Sequence, residues 1–181
     1  MKKGSKKYSL IIRNFTFGVE DSLVSTVGLL AGIAIASVDT KTIVVTGVVL
    51  IFVEAFSMGV GSLLSEQSVE EYESKKEVAL SKPIFAAGVM FVSYVVAGLI
   101  PLAPYVFSTS KMAVAWSVGL TLLALALLGG INAHIFRVRV WKDALLTLLM
   151  GGLAIVVGIV VGQIAGHLGS YENSADTGNG L

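Results

Sequence analysis

The chain has 181 residues, of which 55% are hydrophobic and only 14% charged, and its formal net charge is +1. Soluble domains carry about 25% charged residues, so this composition excludes an ordinary soluble protein and predicts an integral membrane protein. The near-zero net charge gives no reason to expect nucleic acid as a partner. Cysteine is absent, which excludes disulfides and thiolate metal sites.

Five apolar stretches are each long enough to cross a bilayer as a helix, which takes about 20 residues. They cover residues 14–36, 43–64, 84–107, 113–136 and 144–167. We therefore predict an all-α integral membrane protein with five transmembrane helices in one domain, residues 14–168. A basic N-terminal segment or surface helix, residues 1–13, precedes this domain, and a polar tail, residues 169–181, follows it and is expected to be disordered.

The positive charges predict the orientation of these helices. Eleven of the 13 lysines and arginines lie in the N-terminal segment, the loop after the second span and the loop after the fourth. In a five-span chain these places share one side of the membrane, whereas Lys41 and Lys111 lie on the other. Because cytoplasmic loops carry an excess of Lys and Arg, we predict a cytoplasmic N-terminus and an external C-terminus. A cleaved signal peptide is the alternative at the N-terminus, although Glu20 and Asp21 interrupt its apolar region.

Three acidic residues fall inside the predicted spans: Glu20 and Asp21 in the first and Glu54 in the second. A charged side chain at bilayer depth costs roughly 2.5–3.5 kcal/mol on insertion scales, so such residues usually serve ion pathways or proton relays. No Lys or Arg lies in a span interior to neutralise Glu54. The pattern favours a transporter, and the alternative is that Glu54 pairs within the helix bundle.

Helix geometry predicts a similar depth for Asp21 and Met58. With the first span centred near Ser25 and the second near Val53, both lie about 6 to 7.5 Å toward the cytoplasm at 1.5 Å per residue. Glu54 and Met58 are four residues apart and share a helix face. A carboxylate beside a thioether suits a borderline divalent cation such as Fe²⁺ or Mn²⁺. For Met58 alone, packing in the core is the alternative.

The loop after the second span is rich in glutamate. Four of its carboxylates would share one face of a helix: Glu66, Glu70, Glu73 and Glu77. Like charges at this spacing repel unless a cation lies among them, so one interpretation is a metal-collecting surface on the cytoplasmic side. The favoured alternative is a solvated helical extension of the second span, with an ion pair between Glu71 and Lys75.

Glycines at four-residue spacing, in the first span (Gly28 and Gly32) and in the fifth (Gly158, Gly162 and Gly166), indicate close helix packing, either within or between subunits. Motifs for ATP binding or hydrolysis are absent: there is no phosphate-binding glycine loop, no nucleophile elbow and no HExxH. We therefore expect neither enzyme activity nor a cofactor.

Two sequence motifs stand out, FGVEDSLVST at residues 17–26 and FSMGVG at residues 56–61. The first resembles G-A-N-D-G-L-V-S-T, the first-span signature of the vacuolar iron transporter family. The second resembles S-M-A-x-G-E-Y, the second-span signature of the same family. The resemblance covers nearly all of residues 13–166. The motif Asp falls on Asp21 and the motif Met on Met58.

The chain departs from the family pattern at three motif positions. Glu20 replaces the Asn before the motif Asp, Ser22 replaces the following Gly, and Ser62 replaces the Glu of the second motif. The long cytoplasmic metal-binding insertion between spans two and three is also missing, as in the family's shorter members. Our hypothesis is that Glu20 restores one of the lost carboxylates close to the pathway.

The resemblance implies a five-span homodimer that moves Fe²⁺, and often Mn²⁺, out of the cytoplasm in exchange for protons. The pathway would lie at the dimer interface and be lined by the first and second spans. The candidate metal-binding residues are then Asp21, Met58, Glu54 and Glu20. The metal is the transported substrate, the protons are the counter-ions, and the lipid bilayer surrounds the protein.

The sequence is also compatible with two other functions. A proton-coupled exporter of small organic cations predicts aromatic side chains around Glu54, and Phe52 and Phe56 are close in sequence. A non-transport membrane scaffold would use the glycine faces for assembly. The absence of a transit peptide favours a prokaryotic cell membrane, with a vacuolar or other organelle membrane as the alternative.

Overall fold

A computed structural model of the chain describes the backbone of residues 3–108, 110–136 and 140–178, and the side chains of residues 8–108, 112–135, 141 and 145–167. The described backbone forms five α-helices: α1 (Lys3–Ile35), α2 (Thr40–Ser74), α3 (Ser81–Phe107), α4 (Ser110–Phe136) and α5 (Val140–Gly178). Each contains a segment long and apolar enough to cross a membrane. The prediction of an all-α protein with five transmembrane helices is confirmed.

The orientation of these helices stays a prediction. Three of the charges on which it depends, Lys2, Arg137 and Arg139, lie outside the described residues. Residues 179–181, the last three of the tail, also lie outside the described residues.

Several helices are longer than the apolar stretches that predict them. α1 begins at Lys3 and joins the basic segment to the first span, and α2 continues as far as Ser74, as the helical-extension interpretation predicts. The backbone of α5 stays helical to Gly178, where disorder was expected from residue 169. Extending an existing helix needs no new nucleus, so the helix can continue into polar sequence that would not start one.

The connection between α1 and α2 is short and closed by local hydrogen bonds. Ser37 adopts a left-handed φ of 63°, and the amide of Val38 donates to the Ile33 carbonyl at 3.5 Å, which ends α1. Asp39 then caps α2, since the Thr42 amide donates to its Oδ1 at 3.0 Å and the Thr42 hydroxyl to its Oδ2 at 2.5 Å. Such a cap satisfies an amide that the first turn of a helix leaves unpaired.

The chain divides into two compact units. Unit 1 comprises Met1–Ser22 and Val49–Leu99, so it contains the first part of α1, most of α2 and most of α3. Its helices approach closely at glycines. A Cβ added to Gly18 would lie 2.9 Å from the Met90 carbonyl oxygen, and one added to Gly98 would lie 2.8 Å from the Ser22 hydroxyl oxygen. Within unit 1, α1 and α3 therefore pack nearly backbone to backbone.

Unit 2 comprises Leu23–Val48 and Ile100–Leu181. Here Gly28 and Gly32 of α1 pack directly on Gly158 and Gly162 of α5. A Cβ on Gly32 would lie 2.5 Å from the Gly158 carbonyl oxygen, and one on Gly158 or Gly162 would collide with the α1 backbone. The sequence left open whether these glycines pack within one subunit or between subunits. The structure shows that they serve close packing of α1 on α5 within one chain.

Candidate functional site

The three acidic residues predicted to lie in the membrane all belong to unit 1. Asp21 on α1 and Glu54 on α2 are close enough for their negative charges to repel each other, and Asp21 also repels its neighbour Glu20. All three side chains are half-buried. No ion pair involves Asp21 or Glu54 among the side chains that the structure describes. The structure thus brings together two carboxylates, and no basic side chain among the described residues neutralises their charges.

Tyr94 of α3 connects the two acidic helices. Its hydroxyl donates a hydrogen bond to the Glu54 carboxylate, and its backbone carbonyl accepts one from the Ser22 hydroxyl at 2.6 Å. Tyr94 is fully buried, so its position is set by packing as well as by these bonds. Tyr94 therefore orients the Glu54 carboxylate and holds it beside α3.

Contacts with α3 set the depth of each residue along unit 1. Ser22, next to Asp21, bonds to Tyr94, which bonds to Glu54. Gly18, one turn earlier on α1, packs against Met90, one turn earlier on α3.

Contacts with α3 also set the depth of Met58 on α2. A Cβ on its neighbour Gly59 would lie 3.4 Å from the Ala87 carbonyl oxygen and 3.6 Å from Phe91 Cβ. Gly59 is therefore level with the α3 turn between these two residues, and Met58 is level with Met90. Asp21 is therefore level with Glu54 rather than with Met58. The sequence estimate is one turn off because it depended on assumed span centres.

A cavity of about 350 Å³ opens among α1, α2 and α3 on the Met58 side of these carboxylates. Met58, Met90 and Phe17 line it together with several polar side chains, among them Asn14 and Ser62. The Ser62 hydroxyl donates to Asn14 Oδ1 at 2.5 Å, and Asn14 Nδ2 donates to the Leu10 carbonyl at 3.0 Å. Asn14 is therefore held in place on both sides.

Polar and sulfur-bearing side chains recur at every fourth residue of α2: Glu54, Met58, Ser62 and Glu66. This α2 stripe lies on one face of the helix, because residues four apart are neighbours on a helix surface. Its members face inward, half-buried or buried. From the sequence, only Glu54 and Met58 were assigned to a shared face, whereas Ser62 and Glu66 were considered separately. The same four-residue spacing would have joined all four.

Glu66 forms an ion pair with Arg13 of α1 at the end of the cavity. The side chain of Glu66 is only 11% exposed, whereas that of Arg13 is 65% exposed. Arg13 therefore neutralises a buried carboxylate from the surface. Neither the pair nor its place beside the cavity was predicted.

Two of the four glutamates of the second loop, Glu66 and Glu70, are engaged in ion pairs, and a metal-collecting role for the four stays a prediction. Glu70 pairs with Lys82 at 3.1 Å, and Glu77 lies beyond the end of α2, which stops at Ser74. Lys75 takes a left-handed φ of 55° there and so ends the helix. Glu73 is exposed. Among the described residues, no group of three or more His, Cys, Asp or Glu side chains is arranged to hold a metal ion.

The expected ion pair between Glu71 and Lys75 is replaced by other contacts. The amide of Gln67 donates to Glu71 at 3.0 Å, and the Lys75 ammonium lies 4.0 Å from the centre of the Tyr72 ring. The helical extension is thus held by short-range polar contacts.

The polar and sulfur-bearing side chains of unit 1 follow one another in a defined order. Going toward the predicted cytoplasmic side, the carboxylates of Asp21 and Glu54 are followed by the thioethers of Met58 and Met90, then by Ser62 with Asn14, and finally by Glu66 with Arg13. Carboxylates can bind either a cation or a proton, and thioethers prefer softer cations.

Comparison with known proteins gives a consistent result. The model of the VIT family matches residues 12–79 and 69–163. "Vacuolar iron transporter 1" of Oryza sativa subsp. japonica is 26% identical, over 80% of this chain and 81% of that protein. "Vacuolar iron transporter homolog 3" of Arabidopsis thaliana is 27% identical, over 81% and 78%. "Vacuolar iron transporter 2" of Oryza sativa subsp. japonica is 38% identical over 46% of this chain.

The family match runs through α1, α2 and α3, which carry every residue of the site in unit 1, and continues into α5. It agrees with the two motifs that contain Asp21 and Met58, and with the five membrane-spanning helices. On these grounds the chain belongs to the VIT family.

Proposed function

We propose that this protein transports a divalent metal cation, Fe²⁺ or Mn²⁺, out of the cytoplasm in exchange for protons. The observation that carries this proposal is the pair of carboxylates, Asp21 and Glu54, on two membrane-spanning helices and close enough to repel each other. Acidic groups at this depth are costly and are usually kept for ion or proton movement. Binding of either a metal ion or a proton relieves the repulsion between them.

Family membership supports metal as the substrate. The similar plant proteins are named vacuolar iron transporters, and this chain aligns with most of their length. The donors in unit 1 agree with such a cargo, since a borderline divalent cation accepts both carboxylate oxygen and thioether sulfur. Metal is therefore favoured over other cations.

The order of the residues suggests how exchange proceeds. A metal ion entering by the cavity would meet the thioether of Met58 before the carboxylates of Asp21 and Glu54. The carboxylates bind the ion while they are ionised, and protons take its place when it leaves. Tyr94 holds the Glu54 carboxylate in place during both steps.

A homodimer with a shared pathway is part of the proposal. Asp21, Glu54 and Met58 are only half-buried within one chain, so a second subunit could reach them. The outward face of α2 is apolar and exposed, and it carries Val49, Phe52, Val53, Phe56, Val60 and Leu64. Such a face can lie against lipid or against the same face of a second copy.

The two alternative functions have less support. Phe52 and Phe56 are 51% and 67% exposed, so they point away from the interior rather than forming an aromatic pocket around Glu54. Glu54 instead accepts a hydrogen bond from the hydroxyl of Tyr94. A scaffold would need its glycine faces free, whereas Gly28 and Gly32 already pack on α5.

The membrane in which the protein works is also a proposal. The names of the plant relatives refer to the vacuole and favour an organelle membrane over the prokaryotic cell membrane that was preferred from the sequence.

The proposed function is tested by flux into proteoliposomes that contain the purified protein. A pH gradient is imposed, and uptake of Fe²⁺, Mn²⁺, Zn²⁺ and the organic cation tetraphenylphosphonium is measured with and without the gradient. We expect uptake of Fe²⁺ or Mn²⁺ that depends on the gradient. Uptake of the organic cation alone would favour the organic-cation exporter, and no flux from folded protein would contradict transport.

A further inference from the structure

We infer that Met90 is a second thioether ligand, which acts with Met58 at the inner end of the unit 1 cavity and makes this protein select softer divalent cations over harder ones. The inference rests on the proposed function and deepens it by naming a residue that determines metal preference. Neither of the two motifs described above includes Met90, which lies on α3.

The position of Met90 is the first argument. Met58 and Met90 both line the cavity, and the packing of Gly59 against Ala87 and Phe91 places the two methionines at the same level. Met90 is only 4% exposed and comes from a different helix, so the cavity has a thioether on each of two walls. A cation passing along it would meet both sulfurs before it reaches the carboxylates.

The packing around Met90 is the second argument. A Cβ on Gly18 would collide with Ser93 Oγ, and it would lie 2.9 Å from the Met90 carbonyl oxygen and 3.2 Å from Met90 Sδ. The absence of a side chain at Gly18 therefore lets α3 pack closely on α1. The Met90 sulfur consequently lies next to α1, the helix that carries Asp21.

The chemistry of the remaining wall is the third argument. Asn14 is engaged by Ser62 and Leu10, and Glu66 is neutralised by Arg13. Ser62 and Ser65 also line the cavity, but they lie one and two turns of α2 away from Met58. Among the described lining residues, the side-chain donors at the level of Met58 are therefore the two sulfurs. Thioether sulfur prefers soft and borderline cations, whereas hard cations prefer carboxylate, carbonyl and water oxygen. The cavity would therefore favour Fe²⁺ over Mg²⁺ or Ca²⁺ before the ion reaches Asp21.

The test compares a soft and a harder probe ion on the full-length protein in nanodiscs. Binding of Cd²⁺ and of Mn²⁺ is measured by calorimetry for the wild type, Met90→Leu and Met58→Leu. Met112→Leu is the matched control, because Met112 is 60% exposed on α4 and lies outside the cavity. We expect both cavity variants to weaken Cd²⁺ binding severalfold with little change for Mn²⁺, and the control to change neither.

If Met90→Leu binds Cd²⁺ and Mn²⁺ each with the same affinity as the wild type does, the inference is overturned and the proposed function is left standing. A wild type that binds neither ion would overturn both. If Met90→Leu does not fold, Met90→Gln decides, because Gln has a similar length and replaces sulfur by a hard oxygen. It should lower the preference for Cd²⁺ over Mn²⁺, and an unchanged preference would contradict the inference.

Discussion

The hydroxyl of Tyr94 donates a hydrogen bond to the carboxylate of Glu54, across the boundary between α3 and α2. The same tyrosine accepts a hydrogen bond from Ser22, the residue that follows Asp21, through its backbone carbonyl. One buried side chain thus fixes the relative position of two carboxylates that repel each other. If the pair exchanges metal for protons, Tyr94 is the residue that keeps its geometry constant.

Tyr94→Phe should slow metal–proton exchange without unfolding the protein. The substitution keeps the buried ring and removes only the hydroxyl that bonds to Glu54. A hydrogen bond to a charged group contributes about 1.5–3 kcal/mol, so flux should fall by about tenfold or more. Initial rates of Mn²⁺ uptake in proteoliposomes measure the effect. Tyr72→Phe is the control, since Tyr72 is 75% exposed, and equal rates in both variants would remove Tyr94 from the site.

Glu20→Gln should impair transport. Glu20 is half-buried beside Asp21, and its charge adds to the negative potential at that point. Replacing it by Gln keeps the size of the side chain and removes the charge, so the pathway should attract a divalent cation less strongly. The concentration dependence of Mn²⁺ uptake measures this, with a higher half-saturation concentration expected. Normal uptake over the whole range would refute the hypothesis that Glu20 compensates for a lost family carboxylate.

Gly158→Ala should destabilise the protein. Its new Cβ would collide with the α1 backbone at Gly28, and overpacking of this kind typically costs about 1–3 kcal/mol. Gly152→Ala is the matched control on the same helix, because nothing lies within 4 Å of a Cβ there. The control should be neutral or more stable, since Ala is favoured over Gly in helices by about 1 kcal/mol. Apparent melting temperatures in detergent compare the two, and equal values would contradict the packing of α1 on α5.

Asp39 should stabilise α2 in a pH-dependent way. The hydroxyl of Thr42, and next its amide, donate to Asp39 and hold the pKa of that carboxyl below its ordinary value. A lowered pKa in the folded state means that the contribution is fully present above the unfolded pKa, about 4, and is lost as the pH falls through the folded value.

The variant that isolates this effect is Asp39→Asn, which keeps a capping side chain but cannot ionise. Its melting temperature should be below that of the wild type at pH 7, and the gap should close near pH 3. Asp39→Ala should be less stable than the wild type at both pH values. A gap between the wild type and Asp39→Asn that does not change with pH would show that ionisation of Asp39 has no role in the cap.

Much of the fold is predictable from the sequence because each membrane helix must satisfy its own backbone hydrogen bonds over a fixed bilayer thickness. Asp21 and Glu54 can be recognised in the sequence because they interrupt stretches that are otherwise apolar. Along a single helix, four-residue spacing also relates Glu54 to Met58.

Contacts between helices are what the sequence does not specify. Tyr94 and Met90 look like ordinary apolar residues of the third span, and their roles depend on how far α3 is displaced along α1 and α2. That displacement is set by Gly18 and Gly98, where the helices meet most closely. An error of one turn in the assumed span centres was enough to pair Asp21 with Met58 instead of Glu54.

The central claim is that Asp21 couples metal movement to proton movement. The most direct measurement is the internal pH of proteoliposomes, followed with a trapped dye while Fe²⁺ or Mn²⁺ is added outside. For the wild type we predict proton movement opposite to the metal. Asp21→Asn should abolish both, whereas Asp39→Asn, the same chemical change outside the spans, should retain both. Metal-driven proton movement that persists in folded Asp21→Asn would contradict the claim.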